Sequence, residues 1–285
     1  MKKWYMIIDL AKCTGCYNCL LACKDEHVDN EWPGYALPQP RHGHYWINLE
    51  CRERGQYPLV DISYLPLLCM HCEEAPCIKA SKGSVYKRTD GIVIIDPNRA
   101  KGQKELVDSC PWGRIFWNSE REVPQKCTFC AHLLDQGWDK TRCAQACPTG
   151  ALQVRYMEEE ERERLIEREK LEVWCPEPGW QAQVYYKHLY LYTRCFIGGS
   201  VALRREDGTM DCVEGARVRL LRDRTIIGET ITDCFGDFKL DGLPRESGHY
   251  TLEIFLEGYP KQRLKVELKE SVNVGTIILS PESKM

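Results

Sequence analysis

An α+β chain made of two unlike parts is predicted from three observations. Thirteen of the 17 cysteines fall before residue 148, a C-x2-C-x2-C-x3-C run occupies residues 13–23, and short segments with a period of two follow Gly199. The first two predict a ferredoxin-like domain assembled around several metal clusters, because so many thiols imply a part held by metal rather than by a large apolar core. The third predicts an all-β sandwich or small barrel. The expected boundaries are 1–155 for the cluster domain, 156–198 for a charged helix and an aromatic connector, and 199–285 for the β domain. A chain of 285 residues is long enough for two domains, each with its own core.

The formal charge of −3 offers no basic field for nucleic acid. No stretch approaches 18 consecutive apolar residues, so the polypeptide is not expected to span a membrane by itself. Cysteine spacing and the absence of a secretory presequence point to a reducing compartment, the cytoplasm.

The first run is Cys13-Thr14-Gly15-Cys16-Tyr17-Asn18-Cys19, closed by Cys23. Three thiolates spaced by two residues can wrap one corner of an iron–sulfur cubane, because a tight loop turns its thiols and backbone N–H groups inward. The fourth cannot reach round, and in the bacterial ferredoxin arrangement it ligates the neighbouring cluster. A tetrahedral zinc site would need two Cys pairs separated by a longer loop, and four Cys within eleven residues cannot spread around one small ion. Ahead of the run, Lys3–Asp9 alternates poorly but is rich in β-formers and reads as an opening strand. Behind it, from Val28 to Pro66, lies an insertion rich in Pro and Gly that carries the β-prone stretch His44–Leu49, read as a hairpin with loops. Cys51, inside it, reads as a packed free thiol.

The second group is Cys69, Cys72 and Cys77, with Ser81 where a fourth Cys would fall. His71, between two ligands, reads as an exposed loop residue, with metal ligation as the alternative. Gly83–Asp96 reads as two short strands about an Asp90-Gly91 turn. Cys110 stands alone before Pro111, and the three positions that would precede it at ferredoxin spacing are Ala100, Gln103 and Leu106. The fourth group is Cys127 and Cys130, a loop of twelve residues with Leu133, Leu134 and Trp138 that reads as a lid beside a cluster, then Cys143 and Cys147.

The crossover rule pairs these groups. Cys13, Cys16 and Cys19 take Cys147; Cys127, Cys130 and Cys143 take Cys23; Cys69, Cys72 and Cys77 take Cys110. The set left over would be Ser81, Ala100, Gln103 and Leu106, four poor or non-ligating residues that belong to a single cluster. Scattered losses would have damaged two clusters, whereas this pattern removes one and leaves twelve Cys for three 4Fe-4S centres. Three oxidised clusters with their thiolates would take the loaded chain from a formal −3 to about −9, which calls for a positive partner face.

Four Cys groups in this order resemble the iron–sulfur subunits that accompany molybdopterin enzymes of the dimethyl sulfoxide reductase family. The lone Cys110-Pro111, with Glu31-Trp32-Pro33-Gly34-Tyr35, Met70-His71-Cys72-Glu73, Asp90-Gly91-Ile92-Val93 and Gln125-Lys126-Cys127-Thr128, is similar to the small (beta) subunits of the pyrogallol-phloroglucinol transhydroxylase type. The resemblance runs the full length. It implies an electron-transfer subunit docked on a large catalytic chain that carries molybdenum or tungsten on a bis-molybdopterin guanine dinucleotide cofactor. That heterodimer would act on hydroxylated aromatic compounds, with the active site on the partner and no membrane anchor. Loop amides and residues such as Trp112 and Phe129 would tune the clusters by hydrogen bonding and burial. Two alternatives stand beside it: a free polyferredoxin shuttle, and a largely architectural subunit with redox-idle clusters.

Past Val154, Met157–Trp174 is dominated by Glu and Arg and reads as a solvated helix. Residues 175–198 form a connector with Trp180, Tyr185, Tyr186, Tyr190, Tyr192 and Phe196, suited either to lie along a partner or to pack on the chain's own cluster domain. The β segments are 216–221, 225–230, 238–240, 250–254 and 264–268. Thr232–Phe238 followed by Gly248–Thr251 resembles prealbumin-like and carboxypeptidase-regulatory modules. Cys195, Cys212 and Cys234 lack ligand spacing and read as packed thiols. Nothing in the sequence forms a hydrolytic triad, and no catalytic residue is expected on this chain.

Overall fold

A computed structural model describes residues 1–174, 181–205 and 207–280. The chain divides into two compact units, Met1–Cys51 with Ser63–Leu189, and Arg52–Ile62 with Tyr190–Met285.

The first unit opens with β1 (Lys3–Asp9), followed by α1 (Asn18–His27) directly after the first Cys loop. A hairpin follows, β2 (Ile47–Gln56) and β3 (Leu59–Leu68), whose outer part groups with the second unit. Next come α2 (Pro76–Ala80), β4 (Val85–Lys87), β5 (Val93–Ile95), β6 (Phe116–Asn118), β7 (Val123–Gln125), α3 (Ala131–Leu134), α4 (Arg142–Gln145), β8 (Leu152–Met157), α5 (Glu159–Glu169) and β9 (Val184–Lys187). β1 lies between β8, antiparallel from Lys3↔Met157 to Ile8↔Leu152, and β9, parallel from Met6↔Val184 to Asp9↔Lys187. A central strand flanked on both edges and buried along most of its length has no solvent face to favour polar residues, which accounts for its poor alternation. The strand stops at Asp9, whose carboxylate accepts from the Ala11 amide at 3.1 Å and turns the chain into the first Cys loop.

α5 is shorter than expected and is not solvated all round. Leu165 and Ile166 pack on Tyr5, Ile7, Met157, Leu171 and Tyr185, and the buried Arg162 guanidinium lies 5.8 Å from the centre of the Tyr5 ring. The sheet face needs a cover, and a helix with two apolar residues and one Arg stem is enough to provide it. In the connector, Tyr185 and Tyr186 lie on β9 and are buried in this unit, with the Tyr186 hydroxyl donating to the Pro66 carbonyl at 2.9 Å. Trp180 lies outside the described residues.

The second unit adds α6 (Tyr190–Thr193), β10 (Cys195–Arg204), β11 (Met210–Cys212), β12 (Arg217–Arg222), β13 (Thr225–Ile231), β14 (Asp237–Leu243), β15 (Gly248–Phe255), β16 (Gln262–Leu268) and β17 (Val272–Leu279). The five expected β segments are all present; β10, β11 and β17 are additional. β14 pairs with the first half of β10, β11 with its second half, and β17 runs parallel to it from Ile197 to Leu203. The other sheet is antiparallel, in the order β13-β12-β15-β16. Ile197, Val201, Phe238 and Leu240 of the first sheet share one core with Val218, Leu220, Leu252, Ile254, Val266 and Leu268 of the second. Gly198-Gly199 resembles a break in the sequence but belongs to β10. A Cβ on Gly199 would meet the Val274 side chain at 2.7 Å and the Gly275 carbonyl at 2.9 Å, so the missing side chain is what lets β17 approach.

A charged knot closes this unit. The Arg54 guanidinium, 1% exposed, pairs with Asp61 and with both carboxylate oxygens of Asp241 at 2.9 and 3.0 Å. Lys239 joins the same two carboxylates at 2.8 and 3.1 Å. Burial would raise the Asp61 carboxyl, but hydrogen bonds from Lys239 and Arg54 outweigh it and hold the group below its usual 3.8. Asp61 therefore adds stability above that pH, and the contribution is lost as pH falls through the lowered value. Asp241→Ala leaves a buried guanidinium short of one partner and should destabilise the protein by about 3 kcal/mol, read from urea denaturation of the full chain.

Candidate metal centres

Three of the four C-x2-C steps bend in the same way. The residue just before the second Cys has a left-handed backbone in each, Gly15 at φ 67°, His71 at 46° and Phe129 at 56°; in Cys16-x2-Cys19 it is Tyr17, one position earlier, at 60°. That conformation reverses the chain between two thiols so that both face inward, and non-glycine residues adopt it only where the surroundings enforce it. The two Cys-Pro-x-Gly stretches repeat as well. Gly113 and Gly150 have φ of 60° and 63°, and each donates its amide back to the carbonyl of its Cys, at 3.0 Å to Cys110 and 3.3 Å to Cys147.

The thiols of separate groups meet. Cys69, Cys72, Cys77 and Cys110 line one hollow, with His71, Val93, Trp112 and Lys126 also in its wall. Burial raises Cys13, and the charges of Cys147 and Cys16 raise it further. Cys23 is buried and held well above its usual value, first by burial and then by the charges of Cys127 and Cys143; Cys130 is raised in the same way by burial and by the charges of Cys143, Cys23 and Cys127. Of the three expected ligand sets, that of Cys69, Cys72, Cys77 and Cys110 lines a single hollow. Cys19 is pushed up to about 12 by burial and then by the charges of Cys143 and Cys13. Cys127 is pushed up to about 12 by burial and then by the charges of Cys69 and Cys143.

Among the described residues no three His, Cys, Asp or Glu close on a single metal ion; Cys69, Cys72, Cys77 and Cys110 surround a space instead. Backbone amides are aimed at the sulfurs, Arg114 N–H at Cys110 Sγ and Phe129 N–H at Cys127 Sγ, both at 3.4 Å. Burial would raise Cys147, but the amides of Leu152, Ala151 and Thr149 and the Thr149 hydroxyl bring it below its usual range. Thiol-only donor sets with N–H groups directed at them fit 4Fe-4S clusters.

The positions of the missing set do other work. Ala100 and Leu106 are fully buried apolar residues. Gln103 accepts from the Ser84 hydroxyl and donates to the Arg99 carbonyl, both at 2.8 Å, and the Ser81 hydroxyl donates to the Ile78 carbonyl at 2.9 Å.

Four expectations need correction. His71 is fully buried rather than exposed, because the left-handed turn drives its ring inward, where Nδ1 accepts the Val93 amide at 3.0 Å. Burial, then the charges of Lys126 and Lys87, hold it well below its usual pKa. Cys51, Cys212 and Cys234 are exposed rather than packed. Cys51 lies on the outer hairpin, Cys212 ends the short β11, and Cys234 sits in the turn where Asp233 accepts the Phe235 and Asp237 amides. Cys195 is buried.

The fourth Cys group is braced by residues that carry no ligand signal. The buried Lys126 ammonium donates to the Val93 and Cys127 carbonyls. Gln125 Nε2 donates to the Leu37 and Pro38 carbonyls at 2.8 and 3.1 Å, tying the insertion to the start of this group. In the loop after Cys130, Leu133 and Leu134 are buried and Trp138 is partly exposed. Trp32 stacks on His132 at 4.1 Å, and His132 Nε2 lies 2.9 Å from Glu26.

Gly15 offers a direct probe of loop geometry. A Cβ there would lie 2.4 Å from the Tyr64 ring, on a backbone that already disfavours a side chain. Gly15→Ala should lower iron retention after gel filtration, and Tyr64→Ala in the same chain should recover part of it by relieving the clash.

The chain is similar to known iron–sulfur proteins. A family model described as "4Fe-4S dicluster domain" matches residues 60–157. The pyrogallol hydroxytransferase small subunit of Pelobacter acidigallici is 45% identical over 98% of this chain and 100% of its own. The arsenate respiratory reductase iron–sulfur subunit of a Shewanella species is 28% identical over 64% of this chain and 94% of its own. The thiosulfate reductase electron transfer subunit of Salmonella typhi is 30% identical over 58% of this chain and 81% of its own. With a match that spans both chains almost end to end and thiols gathered in ferredoxin fashion, this chain belongs to the family of iron–sulfur electron-transfer subunits that includes the pyrogallol hydroxytransferase small subunit.

Proposed function

We propose that the chain carries three 4Fe-4S clusters and serves as the electron-transfer partner of a large molybdopterin subunit acting on hydroxylated aromatic compounds. The ligand sets are Cys13, Cys16, Cys19 and Cys147; Cys23, Cys127, Cys130 and Cys143; and Cys69, Cys72, Cys77 and Cys110. One observation carries the cluster reading: Cys110 lines the same hollow as three thiols that precede it by more than thirty residues, as the crossover rule requires. Bound clusters supply one-electron redox chemistry. This chain's residues hold them, exclude water and direct amides at the thiolates. The proposal places the three sets in a row suited to stepwise transfer, and the charge effects of Cys143 on Cys19 and of Cys69 on Cys127 support it.

The substrate class and the partner rest on the relative's name and on its full-length match. The partner's cofactor would be bis-molybdopterin guanine dinucleotide with molybdenum or tungsten. The proposal includes a cytoplasmic heterodimer without a membrane anchor; no described helix is long and apolar enough to cross a membrane. It also includes a prealbumin-like or carboxypeptidase-regulatory-like module in the second unit; the boundaries expected at 155 and 198 are shifted, since β8 runs through 155, β9 pairs with β1 in the first unit and β10 runs through 198. The two-sheet core of the second unit supports the module.

The reconstituted chain should hold about twelve iron and twelve sulfide, and Cys110→Ser should reduce iron by about a third. Ser81→Cys should leave the count unchanged, since Ala100, Gln103 and Leu106 offer no further ligand. A reproducible value near sixteen in the native protein would overturn the cluster count.

A second reading is favoured by the word hydroxytransferase in the relative's name. Moving a hydroxyl between two aromatic rings involves no net electron change, so the clusters could serve architecture alone. Adding the phenolic substrate to the oxidised complex separates the two readings. A conducting chain gains reduced-cluster EPR signals at a rate matching turnover, whereas an architectural one stays EPR-silent throughout.

A further inference from the structure

We propose that His71 donates a hydrogen bond from Nε2 to a sulfur of the cluster held by Cys69, Cys72, Cys77 and Cys110, and that this bond raises that cluster's reduction potential. The inference rests on the three-cluster reading and assigns a role to a residue that supplies no ligand in it.

The geometry fixes which nitrogen bears the proton. Nδ1 accepts the Val93 amide at 3.0 Å, so it carries the lone pair and the proton of the imidazole sits on Nε2. The peptide that carries the Val93 N–H cannot rotate away, because its carbonyl, that of Ile92, accepts the Arg88 amide at 2.8 Å. The ring plane is held by Phe129, which meets it edge-on at 5.3 Å and 90°. His71 is therefore held from two other parts of the chain, at Val93 and at Phe129, and is fully buried. Nε2 is nevertheless buried with no hydrogen-bond partner among the described residues. A buried N–H left without an acceptor is unfavourable, and native proteins rarely keep one. His71 lines the hollow that the four thiols share, where the acceptors still to be matched are sulfurs. A donor to sulfur stabilises the more negative, reduced cluster over the oxidised one, which moves the potential upward.

The test uses the intact complex. The signal of this cluster is identified as the one lost in Cys110→Ser. EPR-monitored redox titration of His71→Leu should then show that signal's midpoint displaced to more negative potential, with iron per chain unchanged. His71→Gln, which keeps an N–H donor, should restore part of the displacement. Full iron content with all midpoints unmoved in His71→Leu would overturn the proposal. Should His71→Leu lose iron, the native protein decides. With 15N-labelled histidine, pulsed EPR of the reduced cluster should show a 15N coupling together with an exchangeable proton that disappears in D2O, and their absence would overturn the proposal. A native chain holding only about eight irons, with no signal assignable to Cys110, would instead overturn the three-cluster reading on which it stands.

Discussion

Buried thiols crowded against one another cannot all ionise without a cation among them, and the cluster-bearing unit is arranged around that constraint. Cys19, Cys23, Cys127 and Cys130 are raised first by burial and then by the charges of their neighbours. Iron removes the repulsion and turns the same crowding into ligation, so cluster assembly and folding of these loops are one process. The large apolar layers lie elsewhere, on the β1 sheet and in the two-sheet core of the second unit. Between the thiol loops there are short helices, two-stranded ribbons and hydrogen bonds, which hold ligands in place once metal is bound.

The stretches that carry the family resemblance acquire physical meaning in this light. Glu73 receives Lys3 of β1, Lys87 of β4 and Gln183 just ahead of β9, tying the second Cys group to these strands. The Asp90 carbonyl accepts the Trp4 amide at 3.0 Å, and Gly91 has φ of 88° with the Gln183 side chain only 3.0 Å from where a Cβ would stand. Val93 is held through its amide by His71 and through its carbonyl by Lys126, so Met70-His71-Cys72, Ile92-Val93 and Lys126-Cys127 form one assembly around the third thiol set. Trp32 and Tyr35 reach the helix after Cys130, by stacking on His132 and by a 2.5 Å hydrogen bond to Asp135. These motifs are braces between loops.

Much of this was legible in the sequence because thiol spacing is a geometric statement. The four Cys groups, the meeting of Cys110 with Cys69, Cys72 and Cys77 around one hollow, the opening strand and five β segments could be read from residue type and order. What escaped reading depended on contacts between distant residues. β10 carries a Gly pair that resembles a loop, and only the approach of Val274 and Gly275 explains it. β17 pairs parallel with a strand about 75 residues earlier, which leaves no local signal. His71 read as exposed because its neighbours on both sides are loop residues, yet a left-handed turn reverses its direction. Cys51, Cys212 and Cys234 followed the usual preference of free thiols for the interior, but the hairpin, strand end and turn that carry them leave them at the surface.

The central claim, that three thiol sets cross-paired between distant groups bind three clusters in a row, is tested most directly by an anomalous difference map at the iron absorption edge from crystals of the complex. The account predicts three cubane-sized peaks, the middle one bounded by Cys23, Cys127, Cys130 and Cys143 and its neighbours closed by Cys147 and Cys110. A fourth peak beside Ala100 and Leu106, or Cys147 closing the set of Cys127, Cys130 and Cys143, would contradict it.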